Sequence, residues 1–462
     1  MTKFVNFVNK INIKKQVLSN FEGIFSTTAF QVAIFASGLA INKCIALFSG
    51  PLGIALFGVI KNFYRMASSF LMLGSATVII NKAAAAANSN ILQKELAFNI
   101  LKLTLLQSIA ALLSIFFLKD LIYTLVFVSV IPESFAWIVQ MIIMLILFSV
   151  FAEMMASFFN GLLELKKVFI ASLSGSFVTL LLAIILKPTS FVALSFLALS
   201  SGLTSSIIMG FFLFQKLSSM RSVQSISDSE VFSKLPIAPS LLLVPLLVST
   251  SVIIIQNLIS GEYGLEALAT YTLCVTLIGA LMTLIMSSAR MYFLPKLGTL
   301  TDPEERNSFF QMNAYFFLLT TALALTFLLL FADQIIYILY SDQFISASGL
   351  LMLRASTMIL TAFFWIVVVS AWEKNRFNLY IISEVIRETL YVGTCLFCVQ
   401  QGLGLDAVFL GFVLAEIIAS FVWVGYLYFY KSELSVNPIL LITIYLITFL
   451  LVYFTYNLLQ KI

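Results

Sequence analysis

The chain has 462 residues, of which 61 % are hydrophobic and only 10 % charged, with a formal net charge of +5; an average soluble domain is about 25 % charged. So few polar residues cannot cover a globular exterior, which excludes a soluble fold and makes this a membrane protein. Histidine is absent, which removes every chemistry that needs imidazole as acid, base or metal ligand.

The basic opening MTKFVNFVNKINIKK runs into an apolar stretch with no small-residue cleavage site. It reads as an uncleaved first span, with Lys3, Lys10, Lys14 and Lys15 holding the N-terminus in the cytoplasm. At about 20 residues per crossing, spans are predicted at 23–46, 53–80, 96–118, 135–160, 168–186, 191–213, 237–259, 266–288, 309–331, 349–370, 378–400 and 406–430, with a thirteenth apolar run at 438–459. This register leaves 17 Lys and Arg on inner segments and only Lys119, Lys187 and Lys461 outside, as the positive-inside rule requires.

The serine-rich stretch QKLSSMRSVQSISDSEVFSKLP interrupts the spans midway. The expected organisation is an all-α polytopic protein: an N-terminal six-helix bundle (1–213), a cytoplasmic linker (214–236), a C-terminal six-helix bundle (237–430) and a tail (431–462) carrying the extra hydrophobic helix. Ser49-Gly50-Pro51-Leu52-Gly53-Ile54, before the second span, is echoed by Ser260-Gly261-Glu262-Tyr263-Gly264-Leu265 before the eighth. The echo fits a parallel repeat with hinges at Gly53 and Gly264, or simply two outer turns that use glycine for tight geometry. Pro236, Pro239 and Pro245 break the hydrogen-bond ladder where the seventh span begins, which suits a bent gating helix, although proline is also commoner in membrane helices generally.

Charges left inside the spans are the candidate functional groups, since each is costly in hydrocarbon. In the second span Lys61 and Arg65 stand one turn apart; with a rise of about 1.5 Å per residue from Gly53, they lie roughly 12 and 18 Å into a core of about 30 Å. Like charges at i and i+4 repel, and the span holds no acid from Gly53 to Ile80. With Asn62 and Tyr64 beside them, they suit the wall of a wet cavity that receives an anion. The competing reading is a buried ion pair with Glu153 or Glu416. Arg354 in the tenth span either joins such a cavity or snorkels outward. Arg387 can pair with Glu384 on its own helix. Glu153, without a local cation, is a proton-relay candidate or a hydrogen-bonded buried acid; Glu384 and Glu416 are further coupling candidates. Cys395 and Cys398 at i and i+3 form half a metal site with no second pair, so packing explains them. No phosphate-binding GxxxxGK[ST] loop is present, so an ion or substrate gradient must drive any transport.

Gly50-Pro51-Leu52-Gly53 running into Asn62-Phe63-Tyr64-Arg65, then Tyr292-Phe293-Leu294-Pro295-Lys296-Leu297, then Arg376-Phe377-Asn378-Leu379-Tyr380-Ile381-Ile382-Ser383-Glu384-Val385, resemble the Wzx-type polysaccharide flippases of the MATE/MOP superfamily. The likeness is greatest to flippases of the enterobacterial-common-antigen lipid and spans roughly residues 20 to 430. It implies a V-shaped pair of bundles in a bacterial inner membrane, carrying an undecaprenyl-diphosphate-linked oligosaccharide to the periplasmic leaflet by alternating access. The implied partners are that substrate, membrane lipid, and a polysaccharide polymerase with its chain-length regulator. No cofactor and no nucleic acid is implied, and the protein would work as a monomer. Two departures stand out: Arg354-Ala355-Ser356-Thr357-Met358 lacks the acid expected in the tenth span, and the thirteenth run exceeds the usual twelve. Arg65 meets the family's Asn-Phe-Arg only with one residue inserted. A multidrug or small-solute antiporter of the same superfamily is the alternative. An O-antigen polymerase or membrane glycosyltransferase fits less well, because the outer loops are short.

Overall fold

The computed structural model describes residues 2–72, 74–87, 89–127, 137–219, 243–288, 302–373, 377–429, 444–448, 450–451 and 453–455, with residues 2–31 by backbone only. Every regular element among them is helical. In chain order these are α1 (Thr2–Met72), α2 (Ser75–Ala85), α3 (Asn90–Ile122), α4 (Trp137–Gly161), α5 (Leu165–Leu186), α6 (Phe191–Ser219), α7 (Leu243–Glu262), α8 (Gly264–Ser288), α9 (Pro303–Leu330), α10 (Ala332–Leu339), α11 (Ser348–Ala355), α12 (Met358–Glu373), α13 (Phe377–Gln400) and α14 (Leu405–Phe429). Among the described residues nine helices are long and apolar enough to cross a membrane, or ten if α11 and α12, bent by 43°, form one span. The fold is therefore the all-α multi-spanning one expected. A shorter apolar helix, Ile444–Thr455, falls in the thirteenth run.

α1 is two arms rather than one rod. Gly50 adopts φ 58° and ψ −153°, and Pro51 follows it; glycine tolerates that conformation, and proline suits the first turn of the next arm. A Cβ placed on Gly53 would lie 3.1 Å from Ile45 Cγ2. On a straight helix, eight residues would separate them by about 12 Å, so the chain doubles back. The hinge in the first half is thus Gly50, and Gly53 is helical; in the second half the positive φ falls on Gly264, at 84°. The two motifs place their turns on different glycines. Pro245 lies within α7, two residues after Leu243. Pro236, Pro239, most of the linker and the Tyr292–Leu297 motif lie outside the described residues.

Small residues let the early helices approach closely. A Cβ on Gly175 would stand 2.6 Å from the Ser201 carbonyl oxygen, and one on Gly161 would stand 2.4 Å from that of Ile80. α4 and α5 both pack on α6, while α13 packs on α14 and α7. Among the described residues, the substantial contacts between the first six helices and those from α7 onward run through α1, chiefly against α8 and α7. The turn between α4 and α5 is fastened by Glu164, which pairs with Lys167 at 2.6 Å and with Lys216 of α6 at 2.6 Å.

Candidate functional site: a cation-lined cavity and its neighbour

Where α1 faces α7 and α8, the seam opens into a cavity of about 390 Å³. The second arm of α1 contributes Lys61, Asn62 and Arg65, one helical face set by the i, i+4 spacing. Lys61 is half-buried, its Nζ 4.3 Å from the centre of the Phe57 ring. Arg65, although well inside the bundle, has an exposed side chain that opens on the cavity. Neither cation has an ion-pair partner among the described residues. The two carboxylates considered for them are engaged elsewhere. Glu153 accepts from the Tyr64 hydroxyl at 2.5 Å, and Glu416 faces Arg354 at 3.3 Å. Tyr64 consequently turns to α4 and does not line the cavity with its neighbours.

One end of this cavity is bridged between the two sets of helices. Asn42 Nδ2 donates to Tyr340 Oη at 3.5 Å, and Lys43 Nζ donates to the Tyr337 carbonyl at 2.8 Å. Gln256 of α7 and Thr272 of α8 line the same cavity, neither of them singled out from sequence. A glutamine amid SVIIIQNLIS is costly in lipid, and that was the available signal.

A second cavity, of about 230 Å³, shares Tyr271, Val275 and Gly279 with the first and contains Arg354, Arg387, Glu388, Tyr391 and Glu416. Its position follows from the break between α11 and α12. Ser356 and Thr357 interrupt the ladder there, and their hydroxyls donate to the Leu353 and Arg354 carbonyls, which keeps irregular backbone tolerable at depth. Arg354 does not snorkel. Its guanidinium donates to Thr357 Oγ1 at 3.0 Å, Tyr391 Oη at 3.2 Å and Glu416 Oε1 at 3.3 Å. Arg387 pairs with Glu384 at 2.5 Å, as its spacing suggested, and also with Glu388 at 3.0 Å. Three carboxyls thus face two guanidiniums in a largely buried cluster. Among the described residues, no group of three or more Cys, Asp or Glu is placed to hold a metal ion.

No protein-family model and no curated protein matches this sequence. Among solved structures, the chain is similar to an inward-facing multidrug resistance MATE family transporter of the MOP superfamily, with a TM-score of 0.67 and 16 % identity over 86 % of this chain and 97 % of that one. The outward-facing conformation of a multidrug resistance MATE family transporter gives 0.59 and 18 % over 86 % and 92 %. A MOP superfamily transporter from Pyrococcus furiosus, whose binding pocket of reverse polarity is described as suggesting a different function, gives 0.59 and 16 % over 87 % and 94 %. At these identities the likeness is one of fold, and the fold is that of the MATE/MOP transporters.

Proposed function

We propose that the protein is an alternating-access transporter that flips an undecaprenyl-diphosphate-linked oligosaccharide from the cytoplasmic to the periplasmic leaflet of a bacterial inner membrane. The observation that carries this reading is that Lys61 and Arg65 line the large cavity without a carboxylate partner among the described residues. A diphosphate is the anion that the resemblance supplies, and Asn62 adds a neutral hydrogen-bonding group beside it. The polyprenyl tail would stay in lipid. Residues 1–213 and 237–430 would rock as two bundles about the α1 seam, and the ties from Asn42 and Lys43 to α10 and the residue after it support an inward-facing state. Glu153, Glu384 and Glu416 are the groups through which an ion gradient would be coupled. A polymerase and chain-length regulator would receive the product, and the monomer would suffice for transport.

A second reading is a multidrug or small-solute antiporter. It is favoured by the multidrug transporters that share the fold and by the cluster of three carboxyls and two guanidiniums beside the second cavity. The deciding experiment reconstitutes the wild type and Arg65→Ala at equal protein levels with a lipid-linked oligosaccharide. Loss of flipping in the variant is expected. Undiminished flipping would overturn the role of Arg65, and export of cationic drugs by a wild type that flips nothing would favour the second reading.

A further inference from the structure

The Ile444–Thr455 helix in the thirteenth apolar run keeps one settled face toward the bundle. Ile444, Thr448 and Thr455 are buried and Leu451 is half-buried; their successive spacing of four, three and four residues puts them on one helical stripe. Leu446, Leu450, Tyr453 and Phe454, on the opposite flank, are exposed. Threonines inside with apolar and aromatic side chains outside fit a helix that meets protein on one side and lipid on the other. Tyr445, at the edge of the inner stripe, fixes where the helix sits. Its ring stacks on Phe421 of α14, with centroids 5.7 Å apart and planes at 12°, and its centroid lies 6.4 Å from that of Phe364 of α12. Its hydroxyl shares a hydrogen bond with Ser420 of α14. The helix therefore straddles the gap between α12 and α14.

Behind that gap is a small cavity of about 40 Å³ between α12, α13 and α14, lined in part by Glu384, Arg387 and Glu416. Arg387 and Glu416 also line the second cavity, so the charged cluster is the partition between the two. Phe364 and Ser420 line the small cavity as well, and both are residues on which Tyr445 rests. Ser420 is buried, whereas Phe421 beside it is exposed; α14 turns from cavity to lipid within one residue at this point. Without Tyr445, acyl chains would meet the edge of a cavity that holds three charged side chains, an arrangement costly in hydrocarbon. We propose that the Ile444–Thr455 helix is a lateral cover that closes the cleft between α12 and α14 against lipid, so that the charged cluster communicates with the interior cavities and not with the bilayer. The extra helix thus serves this chain's own charged cluster, and the inference stands whichever substrate the large cavity takes.

The test uses Trp423, which is 3 % exposed, lines the small cavity and donates from Nε1 to Ser383 Oγ at 2.9 Å. In the full-length protein the other tryptophans, Trp137, Trp365 and Trp372, are replaced by phenylalanine. This protein is reconstituted in vesicles of phosphatidylcholine or of its chain-brominated analogue. Bromine quenches tryptophan only at short range, so added quenching reports acyl chains reaching the cavity. Tyr445→Ala should raise the quenching of Trp423 while its emission stays blue. Tyr445→Phe keeps the ring and loses only the hydroxyl, and should match the protein with Tyr445 intact. Should Tyr445→Ala fail to fold, Phe421→Ala removes the other half of the stack at a lipid-exposed position and should raise quenching in the same way. Equal quenching with and without the stack would overturn the cover. A red shift without added quenching would show that water enters rather than lipid, and would overturn it too.

Discussion

The Tyr64 hydroxyl donates to Glu153 Oε1 at 2.5 Å and so fastens the helix arm that carries Lys61 and Arg65 to α4. Tyr64→Phe leaves the carboxyl without that donor and should lower stability by about 1–3 kcal/mol, read from thermal unfolding in detergent. Glu153→Gln keeps an acceptor for the tyrosine and should melt near the wild type. Under the coupling role proposed for Glu153, the same variant should slow proton uptake into vesicles, and equal uptake would eliminate it as an obligatory relay.

In the second half, Arg354 and Glu416 compensate each other across α11 and α14. Replacing one partner strands a buried charge, so Glu416→Leu alone should cost about 3–5 kcal/mol, whereas Arg354→Met with Glu416→Leu should recover most of it. Melting temperatures of the two single variants and the double variant complete the cycle. Additive losses would show that the pair does not act as a unit.

The Lys43 contact with the Tyr337 carbonyl should break whenever the bridged end of the cavity opens. In a background with Cys44, Cys274, Cys395 and Cys398, all free thiols, replaced by alanine, Lys43→Cys with Tyr337→Cys is treated with a short, reducible bis-thiol cross-linker. Transport should stop on cross-linking and return on reduction. Continued transport through the tethered protein would show that this end stays shut throughout the cycle.

Outside the membrane, the Glu164 carboxyl is held below its ordinary value. Burial alone would raise it, but hydrogen bonds and charge from Lys167 and Lys216 outweigh that. A folded-state value below the unfolded one means the contribution is complete above the ordinary 4.5 and fades as pH falls through the lowered value. Thermal unfolding of the wild type and Glu164→Gln should therefore differ at neutral pH and converge in acid. A constant gap across that range would remove the ionic explanation.

Hydropathy and charge were enough to read the helices, because a span must be apolar over a fixed length whatever it packs against. α13 escapes a purely apolar criterion through Glu384, Arg387 and Glu388, yet its i, i+3 spacing already announced the Arg387–Glu384 pair. The facing of Lys61, Asn62 and Arg65 was also legible: at about 100° per residue they share one arc, and Tyr64 falls about 60° outside it on the flank that meets α4. Arg354 was harder, since its environment is made by a helix break and by two residues far along the chain, Tyr391 and Glu416. Gln256 was harder still. Its place in the cavity wall exists only once α7, α8 and α1 have met, a property of the assembled seam that no local pattern carries.

The doubling-back of α1 at Gly50 places Asn42 and Lys43 on one arm and Lys61 and Arg65 on the other. In the proposed transport cycle the two arms would act as a pair of levers sharing a single fulcrum. A guest drawing those cations toward α8 would apply torque at the same joint that sets the grip of the Asn42 and Lys43 ties on Tyr340 and Tyr337. Occupancy and release would then be transmitted mechanically within one stretch of backbone, without a relay of side chains running between them.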